Sequence, residues 1–530
     1  MSETTHDVVI LGGGLAGLTL ALQLRGECPG LDIVVVERRT HPLPVAAHKV
    51  GESTVEIGSH YLADTLGLRE HLETAHIRKF GFRFFFSDGC DDLGEVTELG
   101  VSKVLPTTSY QIDRGILENF LYEEARRRGI DVREGTRVLT FELGHEGAAH
   151  HVRCTHEAGE TSRLTARWLL DASGRAGLIR RRLELTRDNG HHANAVWFRL
   201  DDRLKIDGWC NEREWQSRCT PAERWRSTNH LCGPGYWTWL IPLASGAHSI
   251  GIVADAAMHP IASMNSFERT RDWLATHQPA LARQLRGREH KLLDFAWLRD
   301  YSYASARVFS ADRWALTGEA GPFLDPFYSP GTDFIAIANT YICLLLKHDL
   351  AGQQVAPYAR LYERLFLSFY ESTLSLFRDQ YPLMGNAQVL PVKVIWDYTY
   401  YWGVLCQLVF QQRLGDMSLY TDLAGELETA KVLNQRMQRF FQRWHALSMA
   451  QNPRGMLDQQ ALPWFAGLNA TLHDRLDDNA LRARLRDNVA LLEGLAARIV
   501  EQAVADGGGS LREDMRDLAR ARMRPLLFAA

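Results

Sequence analysis

The feature that most constrains this chain is Gly12-x-Gly14-x-x-Gly17, set between the apolar run Asp7-Val8-Val9-Ile10-Leu11 and residues 15 to 25, whose apolar side chains recur at helical spacing. A second apolar run, Ile33 to Val36, ends at Glu37, twenty residues beyond Gly17. Strand, glycine-rich turn, helix and strand make a βαβ unit, and the uninterrupted apolar runs predict parallel strands buried on both faces. The glycines let backbone amides approach a pyrophosphate at the helix N-terminus, and the acid is placed to accept from a ribose 2′-hydroxyl. Three glycines alone would read equally as a tight turn. With the strand, the helix and the acid all in register, the segment predicts dinucleotide binding through Gly12, Gly14, Gly17 and Glu37.

At 530 residues the chain is long enough for about three units. Helical spacing at 116–128 ends at Gly129 and is followed by strand-like segments at 130–142, 150–155 and 163–170. Between about 190 and 310 the spacing favours strands at 195–200, 236–242 and 248–253, with one helix near 266–285. From about 333 onward the pattern is helical, broken at Pro382, Pro391, Pro453 and Pro463, and it closes on Gly507-Gly508-Gly509 and a basic tail. The expected division is a discontinuous nucleotide-binding domain, 1–190 with 305–350, a sheet-containing substrate domain, 190–305, and a helical region, 350–530.

Lys+Arg 60 against Asp+Glu 64 leaves a formal charge of −4, so nothing advertises a nucleic-acid partner. The eight cysteines are scattered, none at CxxC spacing, and no secretion leader pattern precedes Asp7, which together predict a reducing, cytoplasmic setting. Val394 to Phe410, the most apolar long window, carries Asp397 and several Trp and Tyr, and it reads as a buried helix rather than a membrane span or surface anchor. His150-His151 and His191-His192 make poor metal sites, since adjacent residues on a strand face opposite ways, and no metal is expected.

Three further segments narrow the ligand. Leu169-Leu170-Asp171-Ala172-Ser173-Gly174-Arg175 follows a strand, Gly318-Glu319-Ala320 follows Trp314-Ala315-Leu316 ahead of a loop and a helix from about Thr332, and Tyr110-Gln111-Ile112-Asp113-Arg114 precedes another helix. Over residues 7 to about 350 this arrangement resembles the FAD-dependent monooxygenase fold family. The resemblance implies an α/β protein: a Rossmann-like FAD-binding domain with a parallel sheet, an interleaved sheet-containing substrate domain and a helical C-terminal region. It also implies cofactor contacts by Arg114, Asp171, Pro326 and Glu319, the last standing where Asp is more usual. The helix after the loop would aim its positive end at the flavin pyrimidine ring, where negative charge collects on reduction. Asp325 in that loop reads equally as a turn residue or a flavin contact.

Tyr236-Trp237-Thr238-Trp239-Leu240-Ile241-Pro242 contains W-x-W-x-I, and Phe323-Leu324-Asp325-Pro326-Phe327-Tyr328-Ser329-Pro330-Gly331 contains F-x-x-P-x-x-S-x-G. Lys79, in Arg78-Lys79-Phe80-Gly81-Phe82, follows the segment Lys49-Val50-Gly51-Glu52-Ser53-Thr54. Singly, each has a plain structural reading: a Trp pair at spacing two shares one strand face and packs, and a lysine stem covers apolar surface. Together, and in this order, they resemble the flavin-dependent halogenases.

That resemblance implies a division of labour. Reduced FAD and O2 form a C4a-hydroperoxide, chloride or bromide attacks it, and hypohalous acid results. Halide would sit at backbone amides near Ser329, Gly331 and Thr332, and Lys79 would deliver the halogen as a haloamine or through a hydrogen bond, which an arginine could not do as a haloamine. Trp237, Trp239 and Ile241 would form the wall between flavin and substrate. Where tryptophan halogenases carry a glutamate this chain has Tyr328, which argues against a tryptophan-type site and for an electron-rich phenol or pyrrole. The segment Trp396, Tyr398, Tyr400, Tyr401 and Trp402 reads as pocket lining or as core. With one dinucleotide fingerprint, reduced flavin is expected from a separate NAD(P)H-dependent reductase. A carrier-protein-tethered substrate and a homodimer stay open, as do a monooxygenase or reductase of the same fold and a non-catalytic flavoprotein that binds a lipid or pigment precursor.

Overall fold

The computed structural model describes residues 2–44, 50–448, 451–507 and 511, so Lys49, Gly508-Gly509 and the basic tail lie outside the described residues. The chain forms two compact units, each assembled from three stretches of sequence: 1–77, 112–190 and 302–370 in the first, 78–111, 191–301 and 371–530 in the second.

In the first unit a seven-stranded sheet runs Asp131–Arg133, Ile33–Val36, Ser2–Leu11, Thr161–Asp171, His150–His156, Thr136–Glu142, with Trp314–Leu316 also on Thr161–Asp171. The long strand Thr161–Asp171 changes partners along its length. Its first half pairs antiparallel with His150–His156, and residues 169–171 pair in parallel with Trp314–Leu316. Val8 to Leu11 and Ile33 to Val36 are almost wholly buried, as strands covered on both faces must be. Helix Leu15–Glu27 follows the glycine turn, and helix Gly331–Leu350 packs against it. Asn339 pins that contact, donating to Thr19 Oγ1 (3.2 Å) and the Tyr61 hydroxyl (2.9 Å) while accepting from Thr317 (2.6 Å). At the far end of the same helix, Asp349 accepts from Arg167, Trp168 and Arg313.

The second unit holds an eight-stranded sheet in the order Leu292–Leu298, Ala193–Leu200, His248–Asp255, Tyr236–Pro242, Thr228–Gly233, Phe82–Phe86, Thr97–Gly100, Gly455–Asp458. Two of its pairings are parallel, 228–233 with 82–86 and 97–100 with 455–458. One face packs a large apolar core that includes Phe85, Phe198, Trp215, Leu231, Ile250, Ile252 and Trp273. The Val394–Phe410 window is buried within Val389–Tyr400, a π-helical turn at 401–405 and Cys406–Phe410. Among the described residues no helix is long and apolar enough to cross a membrane.

The division departs from the sequence-based expectation in two respects. Residues 78–111 belong with the second unit, because strands Phe82–Phe86 and Thr97–Gly100 extend its sheet, and 371–507 compact with that unit too. The helix expected near 266–285 is two helices, Phe267–His277 and Pro279–Leu285: proline lacks the N–H that would continue the ladder and pushes Gln278 out of helical conformation.

Candidate active site

The glycine turn of the first unit is shaped by contacts that only glycine satisfies. Gly12 has φ +110°, and a Cβ there would lie 2.4 Å from the Ala172 carbonyl oxygen; one on Gly17 would lie 1.9 Å from the Gly12 carbonyl oxygen. Gly14 differs, with no atom within 4 Å of where its Cβ would stand. The helix that begins at Leu15 has no acid in its first turn and no side-chain cap, so its amides and positive end face that open space. A dinucleotide diphosphate fits such a cradle. Glu37 accepts from the Gly13 amide (2.7 Å) and the Arg39 amide (2.9 Å), which fixes its carboxylate beside the turn.

Other residues expected at the cofactor hold the frame around it. Asp171 is fully buried and accepts from the Ser173 amide (3.0 Å), the Ser173 hydroxyl (2.6 Å) and the Ile179 amide (2.7 Å), and burial raises its pKa. These bonds build the turn that Gly12 packs on. Arg114 donates to the Val50 carbonyl (2.6 Å) and to Glu118, with its guanidinium under Gly51. Glu319 lies 3.9 Å from Arg175 and stays one-third exposed at the mouth of the Gly318–Ala320 turn.

In the loop ahead of helix Gly331–Leu350, Asp325 is fully buried and accepts from the Phe327 amide (2.9 Å), a turn role. Ser329 adopts φ +53°, uncommon for a residue with a side chain, and its amide donates to the Pro326 carbonyl (2.9 Å). That bond engages the amide within the loop. Gly331 is exposed with open space at its Cβ position, and Thr332 follows it in the first turn of a helix with no side-chain cap. Both stand in the first turn of that helix, where backbone amides have no partner within the helix. Asp333, one residue on, accepts from the Gly58 amide (2.8 Å). Tyr328 is half-buried and packs on Phe327 with ring centroids 4.7 Å apart.

In the second unit Lys79 is 3% exposed, its amide donates to the Ser109 carbonyl (2.8 Å), and its Nζ stands 3.4 Å from the centre of the Phe82 ring. Around Phe82 lie His230 (5.2 Å between ring centres) and Tyr398 (6.1 Å), and His230 in turn neighbours Trp237 (5.2 Å). Trp237 and Trp239 share one face of their strand, 5.7 Å apart. Each indole N–H is held: Trp237 donates to the Tyr381 hydroxyl (3.0 Å), Trp239 to Ser249 Oγ (3.1 Å). Trp239 lies across Gly251 on the neighbouring strand, where a Cβ would come within 2.1 Å of its ring. Ile241 is buried at the strand's end. Lysine and tryptophan pair are therefore linked by a continuous aromatic wall, Phe82–His230–Trp237–Trp239. Trp396 donates to Asn434 (3.0 Å) inside the helical layer, a core placement, whereas Tyr398 joins the wall.

A family model described as an FAD binding domain matches residues 5–232. A flavin-dependent halogenase, chlA, of Dictyostelium discoideum is 25% identical over 428 residues, 76% of this chain and 70% of the relative. A 1H-pyrrole-2-carbonyl-[peptidyl-carrier protein] chlorinase of Pseudomonas fluorescens is 26% identical over 353 residues, 62% of this chain and 73% of the relative. The crystal structure of halogenase PltM in complex with phloroglucinol and FAD shares the fold with a TM-score of 0.65 at 17% identity, covering 94% of this chain and 96% of that one. The FAD binding domain, the halogenase relatives and the shared halogenase fold together support a flavin-dependent halogenase.

FAD is the cofactor, and halide and O2 are the co-substrates of such halogenases. The sequence motifs single out Lys79 and the two indoles but not the residues packed around them, Phe82, His230, Ser249, Gly251 and Tyr381. Gly251 did carry a signal, since a glycine inside a strand marks a close approach. Tyr381 carried none, being 144 residues from the indole it holds.

Proposed function

We propose that this halogenase transfers an oxidised halogen, through Lys79, to an electron-rich phenolic ring. Reduced FAD with O2 supplies the oxidising power. Over a full cycle, reduced FAD, one O2, one halide, one proton and the aromatic C–H give oxidised FAD, the aromatic carbon–halogen compound and two waters. The observation that carries the reading is the Lys79 amine, buried against the Phe82 ring on the wall that continues to Trp237 and Trp239. An amine buried among aromatic rings can take up a halogen and meet an apolar ring while bulk water is excluded. The amides of Gly331 and Thr332, at the positive end of a 20-residue helix, suit a halide.

The phenolic preference is supported by Tyr328 in place of a carboxylate, because a phenol is activated by losing its own proton. It is consistent with the phloroglucinol found on the structurally similar PltM. A substrate tethered to a carrier protein is a second reading, favoured by the pyrrolyl-carrier relative. A separate NAD(P)H-dependent reductase would provide the reduced flavin. The test supplies the protein with FAD, a flavin reductase, NADH, O2 and bromide or chloride, and screens free phenols, pyrroles and their carrier-bound forms by mass spectrometry. Halogen isotope patterns in a phenol, lost in Lys79→Ala while FAD still binds, support the proposal. Hydroxylated product insensitive to halide and to Lys79→Ala would make the protein a monooxygenase of the same fold.

A further inference from the structure

On the sheet face opposite Phe82, the second unit buries more positive charge than it neutralises. Strand alternation sends Phe82 and Phe84 to one side of Phe82–Phe86, toward His230, and Arg83 and Phe85 to the other. There Arg83 and Arg224, both fully buried, share the fully buried Glu98. Arg218, with a side chain 12% exposed, approaches Glu98 Oε2 at 3.9 Å. Burial alone would raise the Glu98 carboxyl, but the two guanidiniums hold it below the usual carboxylate range, so it is ionised. Asp207 stands 4.0 Å from Arg224 Nη1, its oxygens taken by the amides of Arg224 (2.8 Å) and Trp225 (2.9 Å). Burial pushes the Cys219 thiol up, so it adds no charge. Glu214, 3.5 Å from Arg218 Nη2, is 82% exposed and screened by water. Three guanidiniums thus face two carboxylates away from bulk solvent.

The donor count agrees with the charge count. Among the described residues, four buried N–H groups here have no hydrogen-bond acceptor: Arg83 Nε, Arg218 Nη1, Arg224 Nη1 and the indole Nε1 of Trp215, whose ring stacks under Arg224 at 3.9 Å. Against them stands one acceptor without a protein partner, Asn229 Oδ1, on a side chain that donates to the Arg224 carbonyl (3.0 Å). Leaving such donors unmet costs about 1–3 kcal/mol each, more for charged groups. Water could accept from two of them, but it would bring two O–H groups needing acceptors and would leave the charge in place.

We propose that this cluster binds one small monovalent anion, chloride or bromide, through N–H donors of Arg83, Arg218, Arg224 and Trp215. A halide only accepts hydrogen bonds and carries the missing charge. It would brace strand Phe82–Phe86 from the side opposite the Lys79 amine, making the fold of the second unit dependent on the ion that the enzyme consumes. The proposal is independent of the halide position at Gly331 and Thr332, which lies in the first unit.

The probe is bromide. Crystals of the FAD-loaded protein grown in sodium bromide should show an anomalous peak in hydrogen-bond contact with the Arg83 and Arg224 guanidiniums, lost in Arg218→Gln, a variant at the rim of the cluster chosen to preserve the fold. In solution, the unfolding midpoint of the wild-type protein should rise saturably with bromide at constant ionic strength, and this rise should be lost in the variant. A wild-type map without anomalous signal at the cluster would overturn the proposal. So would a midpoint that follows ionic strength alone in both proteins.

Discussion

Trp237 donates its indole N–H to the Tyr381 hydroxyl at 3.0 Å, with both side chains almost fully buried. The bond fixes one edge of the wall that runs from Trp237 to Phe82 and the Lys79 amine. Tyr381→Phe keeps the ring and removes the partner, leaving a buried N–H unmet at about 1–3 kcal/mol. We expect FAD affinity to stay unchanged while halogenated product per NADH consumed falls several-fold and peroxide rises. Unchanged coupling with lowered stability would confine Tyr381 to a structural role.

Gly251 sets the position of the second indole. A Cβ there would enter the Trp239 ring at 2.1 Å, and the opposing register of Trp239 and Gly251 leaves the ring no route around it. Gly251→Ala should destabilise the protein by about 1–3 kcal/mol, the range for overpacking a filled core, and should shift tryptophan fluorescence. Denaturant titration checks the first, emission spectra the second.

How much of this was legible in the sequence depends on how local the determinant was. Gly12, Gly14, Gly17 and Glu37 lie within one βαβ unit, and that unit formed as read. Lys79 and the Trp pair were visible as spaced motifs, and both are buried in the second unit. What the sequence does not display is competition among hydrogen-bond partners. Asp171 and the Ser329 amide looked available on the chain, but the folded loops use them internally. Strand Thr228–Gly233 went unread because all six of its residues are buried, so polar Thr228, Asn229 and His230 gave no alternation. Its pairing with Phe82–Phe86 spans about 145 residues of intervening chain, beyond any local pattern.

The contrast between Gly14 and Gly17 separates cofactor contact from fold. Gly17→Ala would drive a methyl into the Gly12 carbonyl at 1.9 Å, so both stability and FAD binding should fall. Gly14→Val meets no protein atom at its Cβ. It should leave the apoprotein's unfolding midpoint nearly unchanged and weaken FAD binding by at least tenfold, about 1.4 kcal/mol. Flavin fluorescence titration and thermal denaturation of the apoprotein read the two effects separately. Unchanged FAD affinity in Gly14→Val would move the diphosphate away from this turn.

Three histidines make the fold sensitive to mild acid. Burial lowers the pKa of His76 and of His248 to about 3 and that of His150 to about 4, with the neighbouring His71 adding to the shift at His76. Each is neutral in the folded protein, and each takes up a proton once unfolded below about pH 6.5. The unfolded state therefore binds more protons, and stability rises with pH across this window. The contribution is complete above about pH 6.5 and is lost as pH falls toward 4, at up to about 1.4 kcal/mol per pH unit for each histidine. Denaturation midpoints between pH 7 and pH 4.5 should fall steeply. His248→Gln removes one of these titrations, so its curve should start lower and fall less steeply per pH unit. Parallel curves for variant and wild type would show that His248 does not titrate on unfolding.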